Sequence, residues 1–326
     1  MQQPKAPPRR VNSGGEERRV GVELEFAGLT VEETTRHLHA EFGGTVERLD
    51  AHRNILSHPD WGEAKIELDI QYVHRKDAEE EEGEAEMFGF LDVLDISEKV
   101  RARLGDALTG LVPVEIVFPP IPWSKLGELN AAFEVLRRHG ALGTRESPLY
   151  AFGLHLNVEV ATGSAAEILD TLRAYMVMAD GLHEEVDVDL TRWVLPHADR
   201  FPDEYAKKIC ALDYPAELSR MIDDYLEMNP TRNRELDMLP LFAHLDPDRV
   251  KAQISDALVK PRPTYHYRLP NADLGDPDWS AVTEWNRWVE IEELAEDKDR
   301  LCDAVAEFLG RDRSVAARLQ RFLGLK

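Results

Sequence analysis

Five stretches of the chain alternate apolar and polar residues, and the polar side of each carries carboxylates, histidine or arginine. In Arg19–Phe26, Val20, Val22, Leu24 and Phe26 oppose Gly21, Glu23 and Glu25. Side chains in a strand alternate faces with period two, so Glu23 and Glu25 project from one surface. In 65–72, Ile66, Leu68, Ile70 and Tyr72 oppose Lys65, Glu67, Asp69 and Gln71. In 113–118, Glu115 opposes Val114, Ile116 and Phe118. The stretch 152–160 gives His155, Asn157 and Glu159 a common side, and 264–269 pairs His266 with Arg268. Packing all five apolar sides on one core leaves one sheet face with five or six acids, two histidines and an arginine.

Carboxylates within about 6 Å of one another cannot all stay ionised without raised pKa values or compensating cations. A hard divalent cation, magnesium or manganese, is the simplest compensation, because such ions prefer carboxylate oxygen. A merely wet polar face explains one Glu-x-Glu strand. Five strands with the same pattern favour a metal-binding face.

A net charge of −23 and a pI near 4.9 argue against nucleic acid or an anionic membrane as partner, since both demand a basic surface. The acidity is partly local: seven acids fall within 77–86, a run read as solvated and without chemistry. Two isolated cysteines, Cys210 and Cys302, match neither a disulfide framework nor a zinc spacing. With no run of 18 apolar residues and no hydrophobic leader, the expected location is cytoplasmic. Residues 1–17, rich in proline, read as a flexible tail before one catalytic domain, 18–326, whose end from about 276 is helical.

Helical signatures separate the strands. Thr30–Glu33 and Ser164–Glu167 are capping boxes, and Asp246-Pro247 reads as an N-cap followed by proline at the first helical position. Further helices are expected over 88–104, 124–139 and 276–310, with Trp285 and Trp288 in the core. Half-polar strands among long helices predict an α+β fold: an antiparallel or mixed sheet with helices on one side and an acidic open face on the other. A free sheet edge also offers pairing with another copy. No dinucleotide fingerprint, phosphate loop or nucleophile elbow occurs.

The order of motifs carries a resemblance. Gly-Val-Glu-Leu-Glu-Phe (21–26) is followed by Val-Glu-Ile-Val-Phe-Pro-Pro (114–120), Gly-Leu-His-Leu-Asn-Val (153–158) and Tyr-His-Tyr-Arg-Leu-Pro (265–270). Over roughly 18–294 the chain resembles the amidoligase family, carboxylate–amine ligases related to glutamine synthetase and glutamate–cysteine ligase. The resemblance implies that ATP phosphorylates a carboxylate and that an amine then attacks the acyl phosphate to form an amide. It implies metal ligation by Glu23, Glu25 and Glu115, completed by Glu67 or Asp69, with His155 on the metal nearest the nucleotide. Asn157 would orient a substrate group and Arg268 would neutralise the transferring phosphoryl group. Arg232 and Arg234 are candidates for nucleotide phosphates or a substrate carboxylate, against the alternative of an exposed basic turn.

One departure stands out. Related ligases read Glu-x-Arg on the last strand, where this chain has His266 before Arg268. Histidine keeps a ligand but removes a charge and replaces oxygen with nitrogen, favouring manganese or a softer ion, or weakening one site. Two other readings share the residues: a metal-dependent hydrolase without ATP, and a binding protein on the same fold without turnover. The substrates, a small-molecule or peptide carboxylate and an amine, are set by loops 43–63, 190–203 and 228–245.

Overall fold

The alternating stretches form strands of a single antiparallel sheet. The structure is a computed structural model that describes residues 2–50, 52–59, 61–69, 113–146, 152–186, 198–254 and 259–310. Expectations placed on 70–72, on the acidic run 77–86 and on the helix at 88–104 lie outside these residues, as does the end of the chain from 311.

Among the described residues the sheet has eight strands: β1 (Arg19–Phe26), β2 (Thr45–Asp50), β3 (Arg53–His58), β4 (Gly62–Leu68), β5 (Val114–Pro122), β6 (Leu154–Glu159), β7 (Leu236–Asp237) and β8 (Thr264–Tyr267). Their order is β2-β3-β4-β5-β1-β6-β8-β7, and every neighbouring pair is antiparallel. β1 is therefore central, flanked by β5 and β6. Between Val20 and Val22 the β1–β5 register slips: Val22 faces Phe118 but Val20 faces Ile121. The extra residue falls at Pro119-Pro120, which lack the N–H groups a regular ladder needs.

The apolar side of the sheet is covered except at the edge strand β2. Val20, Val22, Leu24, Phe26, Ile66, Val114, Ile116, Phe118, Leu154, Leu156, Val158, Tyr265 and Tyr267 are each at most 1% exposed. Helices α1 (Val31–Phe42), α2 (Asn130–Arg138), α3 (Ala165–Val186) and α8 (Ala281–Glu296) contribute to this core, with α4 (Asp203–Cys210), α5 (Leu218–Met228), α6 (Leu239–Leu245), α7 (Pro247–Lys251) and α9 (Lys298–Gly310) around them. Trp288 of α8 packs beneath the sheet, tilted against the Tyr265 ring at 5.3 Å and the Tyr267 ring at 5.4 Å. Phe133 of α2 lies 6.4 Å from Phe118, and Tyr175 of α3 lies 6.1 Å from Tyr267. This is the expected α+β arrangement, with the sheet's polar side left for the site.

Local expectations meet mixed outcomes. The Thr30–Glu33 capping box is complete. At Ser164 only half a box forms: Ser164 caps the Glu167 N–H, but the Glu167 carboxylate accepts from Ala161, Thr162 and Gly163 instead. Asp246 caps α7 with Pro247 at its start. Residues 124–139 divide into a 3₁₀ segment, Trp123–Leu129, and α2. The helical end divides at Asp297. No helix of the described residues is long and apolar enough to cross a membrane.

The N-terminal segment, which its composition reads as a flexible tail, makes specific side-chain contacts. Lys5 donates its N–H to Asn286 Oδ1 (2.7 Å) and accepts from Trp285 Nε1 (2.9 Å), and Arg9 pairs with Glu296 at 2.6 Å. Behind it, Arg18 is 2% exposed and makes a bidentate pair with Glu292 (2.6 and 2.8 Å), while donating to the Arg9 and Glu159 carbonyls. The proline-rich segment is thus held by side chains of α8 and by Arg18, with one antiparallel bridge of its own between Val11 and Glu17. Composition registers the missing helix and strand pattern but not these long-range partners.

Candidate functional site

Antiparallel register arranges the polar side of the sheet into three rows. Glu67, Glu115 and Glu25 stand opposite one another across β4, β5 and β1. Lys65, Val117, Glu23 and His155 form the next row across β4, β5, β1 and β6. Gly21, Asn157, His266 and Asp237 form the third, across β1, β6, β8 and β7. A period-two pattern in each strand therefore becomes a two-dimensional patch once β1 sits in the middle.

Glu23 is the hub. Its Oε1 accepts from Asn157 Nδ2 at 2.8 Å and Arg262 Nη1 at 3.3 Å; its Oε2 lies 3.3 Å from His155 Nδ1 and 3.6 Å from His266 Nε2. Burial alone would raise this carboxyl, but the facing His155 and His266 outweigh it and hold Glu23 well below the usual range. Glu25 accepts from the Gly153 N–H at 2.9 Å and faces His155 Nε2 at 3.8 Å. Glu115 is pushed the other way. Burial, then the charges of Glu23, Glu25, Asp69 and Glu67, raise it well above the usual range. Burial also lowers His155, against the pull of Glu25 and Glu23, so its ring is neutral near pH 7. A neutral ring carries one proton. Placed on Nδ1, it serves Glu23 and leaves the Nε2 lone pair facing Glu25; placed on Nε2, it leaves the Nδ1 lone pair on the Glu23 side.

Among the described residues, two sets of side chains have the spacing to hold a divalent cation: Glu23, His155 and His266, and Glu25, Glu115 and His155, with the ligand atoms of each set all within 4.8 Å of one another. The donors mix carboxylate oxygen with imidazole nitrogen. Unsatisfied atoms also fit such a group. Both ring nitrogens of His266, Oδ2 of Asp237 and Oδ1 of Asn157 are buried without a hydrogen-bond partner. Leaving such an atom unpartnered costs about 1–3 kcal/mol.

The residues singled out from sequence fall in different places. Glu23, Glu25, Glu115, His155 and His266 come together in the two sets. Asp69 lies just beyond β4 and Glu67 at the open end of the Glu115 row; both act on Glu115 through charge and belong to neither set. Asn157 touches Glu23 directly. Glu159, on the same alternation, is instead engaged by Asn12 and the Arg19 N–H at the strand end. Arg268 follows β8, where its N–H bonds the Glu235 carbonyl at 2.8 Å and its guanidinium bonds the Arg232 carbonyl. Arg232 and Arg234 are half-buried, each with an Nε that has no partner, so they are not a freely exposed turn. Arg234 Nη1 donates to the Arg200 carbonyl at 2.6 Å.

Sequence reasoning missed Asp237, Arg262 and the buried His183–Glu235 pair. Asp237 belongs to a strand of two residues, too short for periodicity to register. Arg262 sits in Pro261-Arg-Pro263 ahead of β8, and a basic residue preceding an acid-facing strand was the available signal.

An antiparallel sheet with one covered side and a carboxylate–imidazole patch on the other defines an α+β protein with a candidate metal-binding face. The chain belongs to the family described as "Putative amidoligase enzyme", whose model matches residues 16–290. Neither a curated protein nor a solved structure gives a significant match.

Proposed function

We propose that this protein is an ATP-dependent carboxylate–amine ligase that forms an amide bond through an acyl phosphate, using magnesium or manganese on the sheet face. The observation that carries the reading is the pair of overlapping ligand sets centred on β1, in a chain of the amidoligase family. Glu23 and His266, or Glu25 and Glu115, would hold a cation, with the one lone pair of neutral His155 completing one set at a time. Bound there, the cation would offset the charge of a triphosphate and of the phosphoryl group in transfer.

The side chains divide the remaining work. Arg268 neutralises charge on the transferring phosphoryl group, a task suited to a permanently charged planar guanidinium. Arg232 and Arg234, beside it in the chain's fold, bind nucleotide phosphates or a substrate carboxylate. Asn157, held by Glu23, orients a polar substrate group. In the chemistry, a carboxylate oxygen attacks the γ-phosphorus as the bond to ADP breaks. The amine nitrogen then attacks the acyl carbon, inorganic phosphate leaves, and the amine proton passes to a base. Glu67, half-buried at the open end of its row, is the proposed base.

Hydroxylamine as a surrogate amine, with a panel of amino acids and peptides as carboxylates, tests the reaction. ADP and hydroxamate should form together in wild type and in neither Glu25→Gln nor Arg268→Gln. Binding of metal with no binding of nucleotide would overturn the ligase reading in favour of metal-dependent hydrolysis.

A further inference from the structure

His266 on β8 has a buried acid directly behind it. Asp237 and His266 are register partners across β7 and β8, 0% and 4% exposed. Asp237 Oδ1 is used, accepting the Leu239 N–H at 2.9 Å. Its Oδ2 has no hydrogen-bond partner and lies 3.6 Å from His266 Nδ1. On the other side of the ring, His266 Nε2 lies 3.6 Å from Glu23 Oε2. The His155 ring lies edge-on to it at 5.4 Å, and Asn157 is the register partner of His266 on β6.

We propose that Asp237 positions His266 with its proton on Nδ1, so that Nε2 is a metal ligand, and that the Glu23–His155–His266 set therefore selects manganese, cobalt or zinc over magnesium. The inference rests on the metal-site reading above. A neutral imidazole has one proton, and the carboxylate facing Nδ1 is where that proton is held. At 3.6 Å the pair is a few tenths of an ångström wider than a formed hydrogen bond. Both atoms lack any other partner, so closing that gap competes with nothing. Charge follows the same logic. Glu23 and Asp237 together supply two negative charges, matching one divalent ion, with the second charge placed behind the ring. The atom presented to the ion is nitrogen. Magnesium demands near-ideal octahedral oxygen and dehydrates reluctantly, whereas imidazole suits the later first-row ions.

Full-length protein titrated with Mn²⁺ alone and Mg²⁺ alone, without nucleotide, reads the selectivity; ¹⁵N-edited spectra of the histidines read the tautomer. Asp237→Asn keeps an oxygen for the Leu239 N–H but turns a donor toward His266, which inverts the tautomer. Wild type should bind Mn²⁺ more tightly than Mg²⁺, and its His266 should carry the proton on Nδ1. Asp237→Asn should weaken Mn²⁺ about 10–100-fold and move the proton to Nε2, and His266→Glu should narrow the Mn²⁺ preference. An Nε2-protonated His266 in wild type, or unchanged Mn²⁺ affinity in Asp237→Asn, overturns the proposal, and the wild-type spectrum decides even if the variant does not fold. Failure of wild type to bind either ion instead removes the metal-site reading itself.

Discussion

Replacing Glu115 by Gln should make the metal-free protein more stable while reducing its response to metal. Glu115 stands between Glu25 and Glu67 in the sheet register, and burial plus those charges raise it above a glutamate's ordinary 4.5. A group whose folded pKa is raised keeps a proton that the unfolded chain gives up. Wild-type stability therefore falls as pH rises above 4.5 toward the raised value. At pH 7 the loss is capped by holding the carboxyl protonated, about 1.36 kcal/mol for each of 2.5 pH units, or about 3.4 kcal/mol. The side chain is half-buried, and its contact with water brings the expected gain on substitution to about 1–2 kcal/mol. For 326 residues the unfolding entropy is about 0.7 kcal/mol/K, so Tm should rise by about 1.5–3 °C at pH 7. The gain should vanish at pH 4. Saturating metal at about 100 times Kd should stabilise wild type by about 2.7 kcal/mol, near 4 °C, and Glu115→Gln less, since only the Glu23–His155–His266 set is left intact. Scanning calorimetry from pH 4 to 8, with and without Mn²⁺, measures both effects. Parallel Tm profiles for the two proteins, or equal metal shifts, would refute the reasoning.

Other parts of the structure give sharper stability tests. Arg18→Ala leaves Glu292 buried without its bidentate partner and should cost about 3–5 kcal/mol by denaturant unfolding, also exposing residues 5–10 to faster proteolysis. Gly28 has φ +87, and a Cβ there would meet the Gly140 carbonyl oxygen at 2.4 Å; Gly28→Ala should destabilise by about 1–3 kcal/mol or more, read from the urea midpoint. Burial would raise Asp224, but Lys208, Tyr214 and Arg220 outweigh it and hold it below its usual range. Its stabilisation is thus present at neutral pH and lost as pH falls through that lowered value, and Asp224→Asn should flatten the acid limb of the Tm profile.

The acidic face was legible because β1, β5, β6 and β8 each bury one side completely, so their alternation survives in the sequence. What remained hidden has physical causes. β2 is exposed along its whole length and has no buried side to imprint a period, and β3 buries Asn54, which bonds Thr35 Oγ1, in a position that pattern reading expects to be apolar. Both strands fell within a stretch read as loop. Asp237 contributes to the site from two residues of strand and acquires meaning only when β8 pairs with it. Arg262 reaches Glu23 across 239 residues of chain, a contact that no local pattern encodes. The metal-facing residues were therefore readable one strand at a time, while the groups that orient them depended on register.

The central claim is that the sheet face binds nucleotide through divalent metal. Calorimetric titration with a non-hydrolysable ATP analogue, with and without Mg²⁺ or Mn²⁺, tests it in wild type, Glu23→Gln and Glu25→Gln. Binding should require metal and should be lost in both variants. Metal-independent binding, or binding that survives both substitutions, would contradict the account.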